Sequence, residues 1–383
     1  MNLITPQEAE DLMLSNADLQ DEESVRLENA LGRVLREDLC ADRPFPPFDR
    51  VTMDGVAFRF SDFGGQPLPF QGIHPAGNPA PPALKPGHCW QIMTGSIMPP
   101  DCDTVVPYEE VTSNEETGTI NCDPTPGKFI HREGSDAAKG DLIIKSGTRI
   151  GPGHLGIMAS IGAVVIKVSR RPRIKILTTG DELIPIDESP LPHQLRQSNG
   201  QTLLSAVREW GPAEVSWEHL PDNLETTTAG IAKALKDADL VILSGGISKG
   251  KKDYVRPALE SLRGQPVFHG VAQRPGKPLA FWKGVVALPG NPNSTLTTFH
   301  RYVVPLLRHM TRTPNAEPTT FALAEPVQQH PSLTQFLPAK MNPEGKAVSL
   351  SPQNSGDFLT PLTGTGYLEI PPGEGSVTTS RYF

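Results

Sequence analysis

Asp239-Leu240-Val241-Ile242-Leu243-Ser244-Gly245-Gly246-Ile247-Ser248-Lys249-Gly250-Lys251-Lys252-Asp253-Tyr254 decides how the rest of the 383-residue chain is read. Leu240 to Leu243 are continuously apolar, the pattern of a strand buried on both faces. Two adjacent glycines follow, and at a strand's carboxyl end they let backbone amides turn toward a ligand with no side chain in the way. Lys249, Lys251 and Lys252 add positive charge and Asp253 adds one carboxylate. Such a loop suits a phosphorylated ligand held together with a metal ion. Taken alone, it is better read as a glycine-rich turn beside a solvated charge run.

Working outward, Arg173 to about Met310 follows a β-α-β pattern. Strands are expected at Ile174–Leu177, Glu214–Leu220 and Val285–Leu288. Helices are expected at Asn199–Trp210, closed by Gly211, at Leu224–Ala238, and from about Thr295. This alternation implies a parallel sheet covered on both faces, with ligands at the strands' carboxyl ends. The loops expected there carry Asp181 and Glu182, Asp222, Gly245 to Asp253, and Pro289 to Ser294. Arg274-Pro275-Gly276-Lys277-Pro278 offers two cations on a rigid turn. No Gly-x-Gly-x-x-Gly follows the first strand and no Gly-Lys-Ser/Thr is present, so neither the dinucleotide fold nor a P-loop is indicated.

The flanking regions differ. Thr5-Pro6-Gln7-Glu8 starts a helix with a capping box, running to about Ser15. A second helix is expected over Glu28–Glu37, with Ala30, Leu31, Val34 and Leu35 on one face. Residues 60–128 are rich in Pro, Gly and Asn and read as a β-rich module. Before it, Asp54-Gly55 reads as a turn whose acid bonds its own backbone, and within it Thr94 reads as a turn threonine with its hydroxyl free. Residues 316–383 read as a small β-barrel or sandwich, and Gln353–Asp357 as a hairpin turn.

Composition sets limits. Forty prolines and thirty-five glycines favour short strands and turns. A net charge of −8 argues against nucleic acid as the main partner. No apolar run is long enough to span a bilayer and no signal-peptide core opens the chain, so a cytoplasmic location is expected. The four cysteines, Cys40, Cys89, Cys102 and Cys122, show no paired spacing, which argues against a zinc site or disulfide framework.

Together the motifs resemble the molybdopterin molybdenumtransferase (MoeA) family, which includes the E domain of gephyrin. The matching stretches are Thr52-Met53-Asp54-Gly55, Ile92-Met93-Thr94-Gly95, Arg132 to Asp136, Thr178 to Leu183, Ser198-Asn199, Ser244-Gly245-Gly246, Asp253-Tyr254, Pro275-Gly276-Lys277-Pro278 and Leu288 to Pro292. They occur in the family's order and cover nearly the whole chain.

The resemblance implies a multidomain α/β plus β protein. Its parts would be a discontinuous linker domain (1–43 and 137–170), a β-rich domain (44–136), an α/β molybdopterin-binding, MogA-like domain (171–314) and a C-terminal β-barrel (315–383). It implies a homodimer in which one subunit's β-rich domain completes the partner's α/β site. Other molybdenum cofactor biosynthesis proteins are implied as further partners. The implied reaction joins adenylylated molybdopterin and molybdate into the cofactor, releasing AMP with Mg²⁺ or another divalent metal. Catalytic roles are implied for Asp54, Thr94, Asp136, Glu182, Asp222 and Asp253. Substrate binding is implied for Ser244, Gly245, Gly246, Ser248, Arg274, Lys277, Pro289, Asn291, Pro292 and Ser355, and metal binding for Asp54, Asp181, Glu182 and Asp253.

The residue chemistry agrees with these roles. Bare amides and Lys277 suit a pyrophosphate-linked ligand. Hard divalent ions want carboxylate oxygens, and acids beside an oxyanion need a counter-cation. Lys249, Lys251, Lys252, Arg274 and the tract Pro192–Gln197 depart from the commoner family pattern and make the pocket more basic. Two other readings stand beside the transferase: a non-catalytic scaffold on the same fold, and a nucleotide pyrophosphatase built on the α/β domain. The retained acids and the Pro-Gly-Lys-Pro turn favour the transferase.

Overall fold

The computed structural model describes residues 3–247, 253–314, 319–350, 352, 357 and 359–383. It divides into two compact units. One comprises Met1–Glu37, Gly147–Pro152 and Val165–Phe383, the other Asp38–Ser146 and Gly153–Val164.

The larger unit is built on a six-stranded sheet in the order Glu214–Leu220, Arg173–Thr179, Leu240–Ser244, Val285–Leu288, Ala280–Trp282, Phe268–His269. Both faces are covered, which is why the Leu240–Leu243 run shows no polar alternation. Leu240 and Ile242 pack with Leu203, Val207, Phe299 and Leu306, whereas Val241 and Leu243 pack with Ile231, Ala234, Ala258 and Leu259. The first four strands are parallel, as expected. The last two are antiparallel, which corrects the all-parallel expectation. Only Lys283-Gly284 separates Trp282 from Val285. Two residues, with Gly284 at φ +77°, close a hairpin, whereas a parallel return needs a crossover of about a dozen.

The chain order places the crevice. From Arg173–Thr179 the Asn199–Trp210 helix leads to Glu214–Leu220 on one side. The Leu224–Asp237 helix then carries the chain back to Leu240–Ser244 on the other side. The loops after Thr179 and Ser244 therefore part, and a space opens at the strands' carboxyl ends.

Side-chain caps set the start of two helices. Glu8 N donates to Thr5 Oγ1 at 3.2 Å and Thr5 N to Glu8 Oε2 at 2.7 Å, completing the capping box of Pro6–Ser15. Asn223 accepts from Thr226 N at 3.1 Å and caps Leu224–Asp237. The last helical segment starts at Pro292 rather than Thr295 and passes through a wider turn at Phe299–Val303.

The expected helix over Glu28–Glu37 is not formed. Leu27–Asn29 is a single 3₁₀ turn, Gly32 takes φ +77°, and Val34 and Leu35 bridge to Arg149 and Val168. Ala30, Val34 and Leu35 are buried, but Leu31 is exposed. Long-range pairing has overridden the local pattern. The helix Pro152–Ser160 has no counterpart in the sequence reading.

Five C-terminal strands, Thr319–Gln328, Thr334–Met341, Ala347–Ser349, Gly366–Ile370 and Ser376–Tyr382, close into a barrel around Leu323, Ala339, Ala347, Leu368 and Ile370. Gln273–Arg274 adds to its Thr334 edge as a parallel strand, so the Arg274–Pro278 turn is anchored on the barrel. The smaller unit holds a six-stranded sheet of its own around Val56, Phe58, Trp90, Ile92 and Val106. A Cβ on Gly55 would lie 2.0 Å from the Val106 carbonyl oxygen, so only glycine fits at that crossing. Among the described residues no helix is long and apolar enough to cross a membrane.

Candidate active site

A cavity of about 1330 Å³ opens where the loops part. Its wall includes Gly180, Glu182, Asn199, Asp222, Ser244 to Ile247, Asp253, Arg274 to Pro278 and Pro289 to Pro292. Gly245 and Gly246 have φ +96° and +67°, a region that other L-residues adopt only with strain. A Cβ at Gly246 would lie 2.6 Å from Val255 Cγ2, and one at Gly245 would lie 3.0 Å from the Thr179 carbonyl oxygen. Bare backbone is thus required at the crevice.

Asn199 ties two sides of the cavity. Its Nδ2 donates to Ser244 Oγ at 3.0 Å and to the Gly290 carbonyl at 2.7 Å. Ser244 and Thr295 both reach the Pro289 carbonyl, at 3.4 and 2.6 Å. Gln273 is fully buried, donates to the Gly276 carbonyl at 3.1 Å and accepts from the Tyr302 hydroxyl, fixing the turn that presents Arg274 and Lys277. Both cations are exposed.

Acids line the same cavity. Asp181 N donates to Asp222 Oδ2 at 3.3 Å and Asp222 N donates to Asp181 Oδ1 at 2.9 Å, a reciprocal clasp between two loops. Glu182, Asp222 and Asp253 line the wall, but Asp181, expected as a metal ligand, does not. Among the described residues no three His, Cys, Asp or Glu side chains form a metal cage.

The other expected acids lie in the smaller unit. Asp54 Oδ1 accepts from the backbone amide and the hydroxyl of Thr94, at 2.6 and 2.7 Å. The Thr94 hydroxyl, expected to be free, is therefore committed to Asp54. These bonds hold the Asp54 carboxyl below its ordinary pKa. Asp136 Oδ1 bonds His131 Nε2 at 2.8 Å, and Arg50 bonds His131 Nδ1 at 3.1 Å. Burial pushes the nearby thiols of Cys89 and Cys102 up to about 12, so neither offers a thiolate at neutral pH. Ser248, Ser355, Lys249, Lys251 and Lys252 lie outside the described residues.

Sequence reasoning gave no role to Asn199, Gln273 or His219. Asn199 carried a signal, since it opens a helix inside a matched motif. Gln273 and His219 carried none, because their partners are distant in the chain.

The fold and cavity define an α/β domain with a crevice at a switch point, lined by bare glycine backbone, acids and cations. Residues 4–162 match the family model described as MoeA N-terminal region (domain I and II), and residues 175–309 match the probable molybdopterin binding domain. A molybdopterin molybdenumtransferase of Synechocystis sp. is 36% identical, covering 93% of each chain. Molybdopterin molybdenumtransferase 2 of Mycobacterium tuberculosis is 32% identical, covering 91% of this chain and 90% of its own. The molybdopterin biosynthesis moeA protein of Pyrococcus horikoshii OT3 superposes with TM-score 0.83 at 25% identity, covering 100% of this chain and 98% of its own. The chain belongs to the molybdopterin molybdenumtransferase family.

Proposed function

We propose that this chain inserts molybdenum into adenylylated molybdopterin in molybdenum cofactor biosynthesis, taking molybdate and releasing AMP. The observation that carries the reading is that one cavity is lined by obligatory bare backbone at Gly245-Gly246, by Arg274 and Lys277, and by Glu182, Asp222 and Asp253. The glycine amides and the two cations hold the phosphates and the oxyanion. The Asn199 brace and the buried Gln273 keep those groups in place before the ligand arrives.

Carboxylate oxygens are the donors that Mg²⁺ prefers. Acids that line a wall without forming a cage suit an ion held by one or two carboxylates plus substrate oxygens. When bound, Mg²⁺ would offset the charge on the leaving phosphate. One or two of the wall carboxylates Glu182, Asp222 and Asp253 would hold it. In this reading the molecule is a cytoplasmic homodimer, and the Asp54, Thr94 and Asp136 group of one subunit completes the other's cavity.

The test is to incubate the protein with adenylylated molybdopterin, molybdate and Mg²⁺ and follow AMP by chromatography. AMP release that needs both molybdate and metal is the expected result. Binding of the ligand with no AMP released under any divalent metal would return the reading to the scaffold.

A further inference from the structure

The turn that carries Arg274 and Lys277 is held from behind by a buried pair of side chains whose donor direction the chemistry fixes. Gln273 Nε2 donates to the Gly276 carbonyl at 3.1 Å. A carbonyl oxygen only accepts, so the nitrogen end of the Gln273 amide faces the turn and its Oε1 faces the other way. There it meets the Tyr302 hydroxyl, which must therefore be the donor. Gln273 is 0% exposed and Tyr302 1%, so both bonds lie away from bulk solvent. A buried amide end left unpaired is costly, so each of the two bonds supports the other.

Both sides of the pair are anchored. Gly276 has φ +91°, and a Cβ there would lie 2.4 Å from Thr298 Cγ2 and 2.7 Å from Gln273 Nε2. The turn is thus pressed against the same helical segment that supplies Tyr302. Within the turn, Val271 N donates to the Lys277 carbonyl at 2.9 Å and Leu279 N to the Gly276 carbonyl at 3.1 Å. Tyr302 belongs to the wide turn Phe299–Val303, a helix distortion of a kind frequent at functional sites. Its neighbour Arg301, fully buried, bonds Glu369 of the barrel through Nε and Nη2 at 3.0 and 3.3 Å and Glu10 through Nη1 at 2.5 Å. Shifting the wide turn would strip a buried guanidinium of its carboxylates, so Tyr302 is a fixed point.

We infer that Tyr302 is a positioning residue: its hydroxyl locks the Gln273 amide, the amide holds the Gly276 carbonyl, and the turn so fixed sets where Arg274 and Lys277 stand at the cavity. Tyr302 is not among the cavity-lining residues, so it acts through Gln273 and not on the ligand. Arg274 and Lys277 are exposed, long side chains, and a rigid base leaves less to be ordered when a phosphorylated ligand arrives. The effect on ligand affinity rests on the transferase reading, whereas the tether does not.

The test has two arms. In the first, amide hydrogen exchange is followed in wild type and in Tyr302→Phe, which keeps the ring and removes the donor. The amides of Val271 and Leu279, which close the turn, should exchange about threefold to tenfold faster in the variant, the scale of one lost hydrogen bond, when referred to Val241 and Ile242 in the central strand. Unchanged exchange at Val271 and Leu279, or a rise shared equally by the strand, overturns the inference even if the protein is an active transferase. In the second arm, calorimetry measures adenylylated molybdopterin binding to wild type, Tyr302→Phe, Lys277→Ala and the double variant. Tyr302→Phe should weaken binding about threefold to tenfold. In the Lys277→Ala background its effect should fall to less than half on the logarithmic scale, because the cation it places is gone. A merely structural tyrosine would lower the melting temperature with affinity unchanged, or weaken binding equally in both backgrounds, and either result overturns the role. Should Tyr302→Phe fail to fold, Gln273→Met, which keeps the length of the side chain and removes both amide ends, is read in both arms against the same outcomes. A wild type that does not bind adenylylated molybdopterin defeats the transferase reading and leaves the first arm to decide the tether.

Discussion

Asp54 Oδ1 receives two hydrogen bonds from one residue, the amide and the hydroxyl of Thr94, at 2.6 and 2.7 Å. The two residues are forty positions apart, and each sits in a turn of the smaller unit. The pairing lets Thr94 orient the Asp54 carboxylate through two hydrogen bonds. Both bonds favour the carboxylate, with the amide the stronger influence, and hold its pKa below the ordinary value. Asp54 therefore stays ionised to lower pH than an isolated aspartate. Thr94→Val keeps the amide bond and deletes the hydroxyl bond, so the acid limb of the pH–rate profile should move to higher pH, while Thr94→Ser should leave it in place. An unmoved limb in Thr94→Val would separate Asp54 from the rate.

Asp239 fastens the entrance of the α/β sheet. It bonds Arg170 through both carboxylate oxygens at 3.0 Å and also receives the Arg173 amide at 2.8 Å. Burial alone would raise its pKa, but the guanidinium bonds of Arg170 and Arg173 and the Arg173 amide outweigh it and bring the group from 3.8 to about 2. The folded-state pKa is depressed, so the stabilisation is present above about pH 4 and is lost as pH falls toward 2. Its size is ~2 kcal/mol. Asp239→Asn should lower the unfolding free energy by about that amount at pH 7, and the difference from wild type should vanish near pH 2. Denaturant titrations at the two pH values check both statements.

Gly246 and Gly290 should respond differently to alanine. A Cβ at Gly246 meets Val255 Cγ2 at 2.6 Å, with φ at +67°, whereas a Cβ at Gly290 meets nothing closer than Gly245 Cα at 3.5 Å. Gly246→Ala should cost about 1–2 kcal/mol of stability from backbone strain alone, and ligand affinity with it. Gly290→Ala should keep the melting temperature and change only ligand affinity. Thermal melts and AMP titration decide between them.

Exposed Lys277 offers the converse test. Lys277→Ala should weaken binding of adenylylated molybdopterin by roughly 1.5–3 kcal/mol, the scale of a hydrogen bond to a charged group. Stability should change by less than about 0.5 kcal/mol. Calorimetry showing wild-type affinity would remove Lys277 from the phosphate site.

Much of this was legible along the chain because local rules and tertiary packing agree there. The Thr5–Glu8 capping box, the apolar Leu240–Leu243 run and Gly211 at a helix end each need only neighbours to be understood. Glu28–Glu37 misled because Val34 and Leu35 find partners at Arg149 and Val168, beyond the reach of any local pattern. The antiparallel edge was hidden in the short Lys283-Gly284 turn. At the site, glycines and acids announced themselves through composition, whereas the partnerships did not. Asp54 with Thr94, Asp181 with Asp222 and Thr178 with His219 are long-range pairs, and residue type alone does not reveal them.

The Asp181–Asp222 clasp separates two carboxylates that the sequence alone treated alike. Each accepts the other's backbone amide, but only Asp222 lines the cavity. Asparagine keeps a side-chain oxygen for the amide and removes the charge, so it preserves the clasp while testing the carboxylate. Asp222→Asn should lower AMP release by about two to three orders of magnitude, the scale of ~3–4 kcal/mol for one element stabilising transition-state charge. It should also raise the Mg²⁺ concentration needed for half-maximal rate. Asp181→Asn should stay within about twofold of wild type in both. Alanine, which breaks the clasp, should slow both variants, because the Asp181 and Asp222 loops would then lose their mutual anchor. The measurement is AMP release across a Mg²⁺ titration for all four variants. A large loss in Asp181→Asn with a shifted metal response would make Asp181 a metal ligand after all. A wild-type rate in Asp222→Asn would leave the cavity's charge chemistry to Glu182 and Asp253.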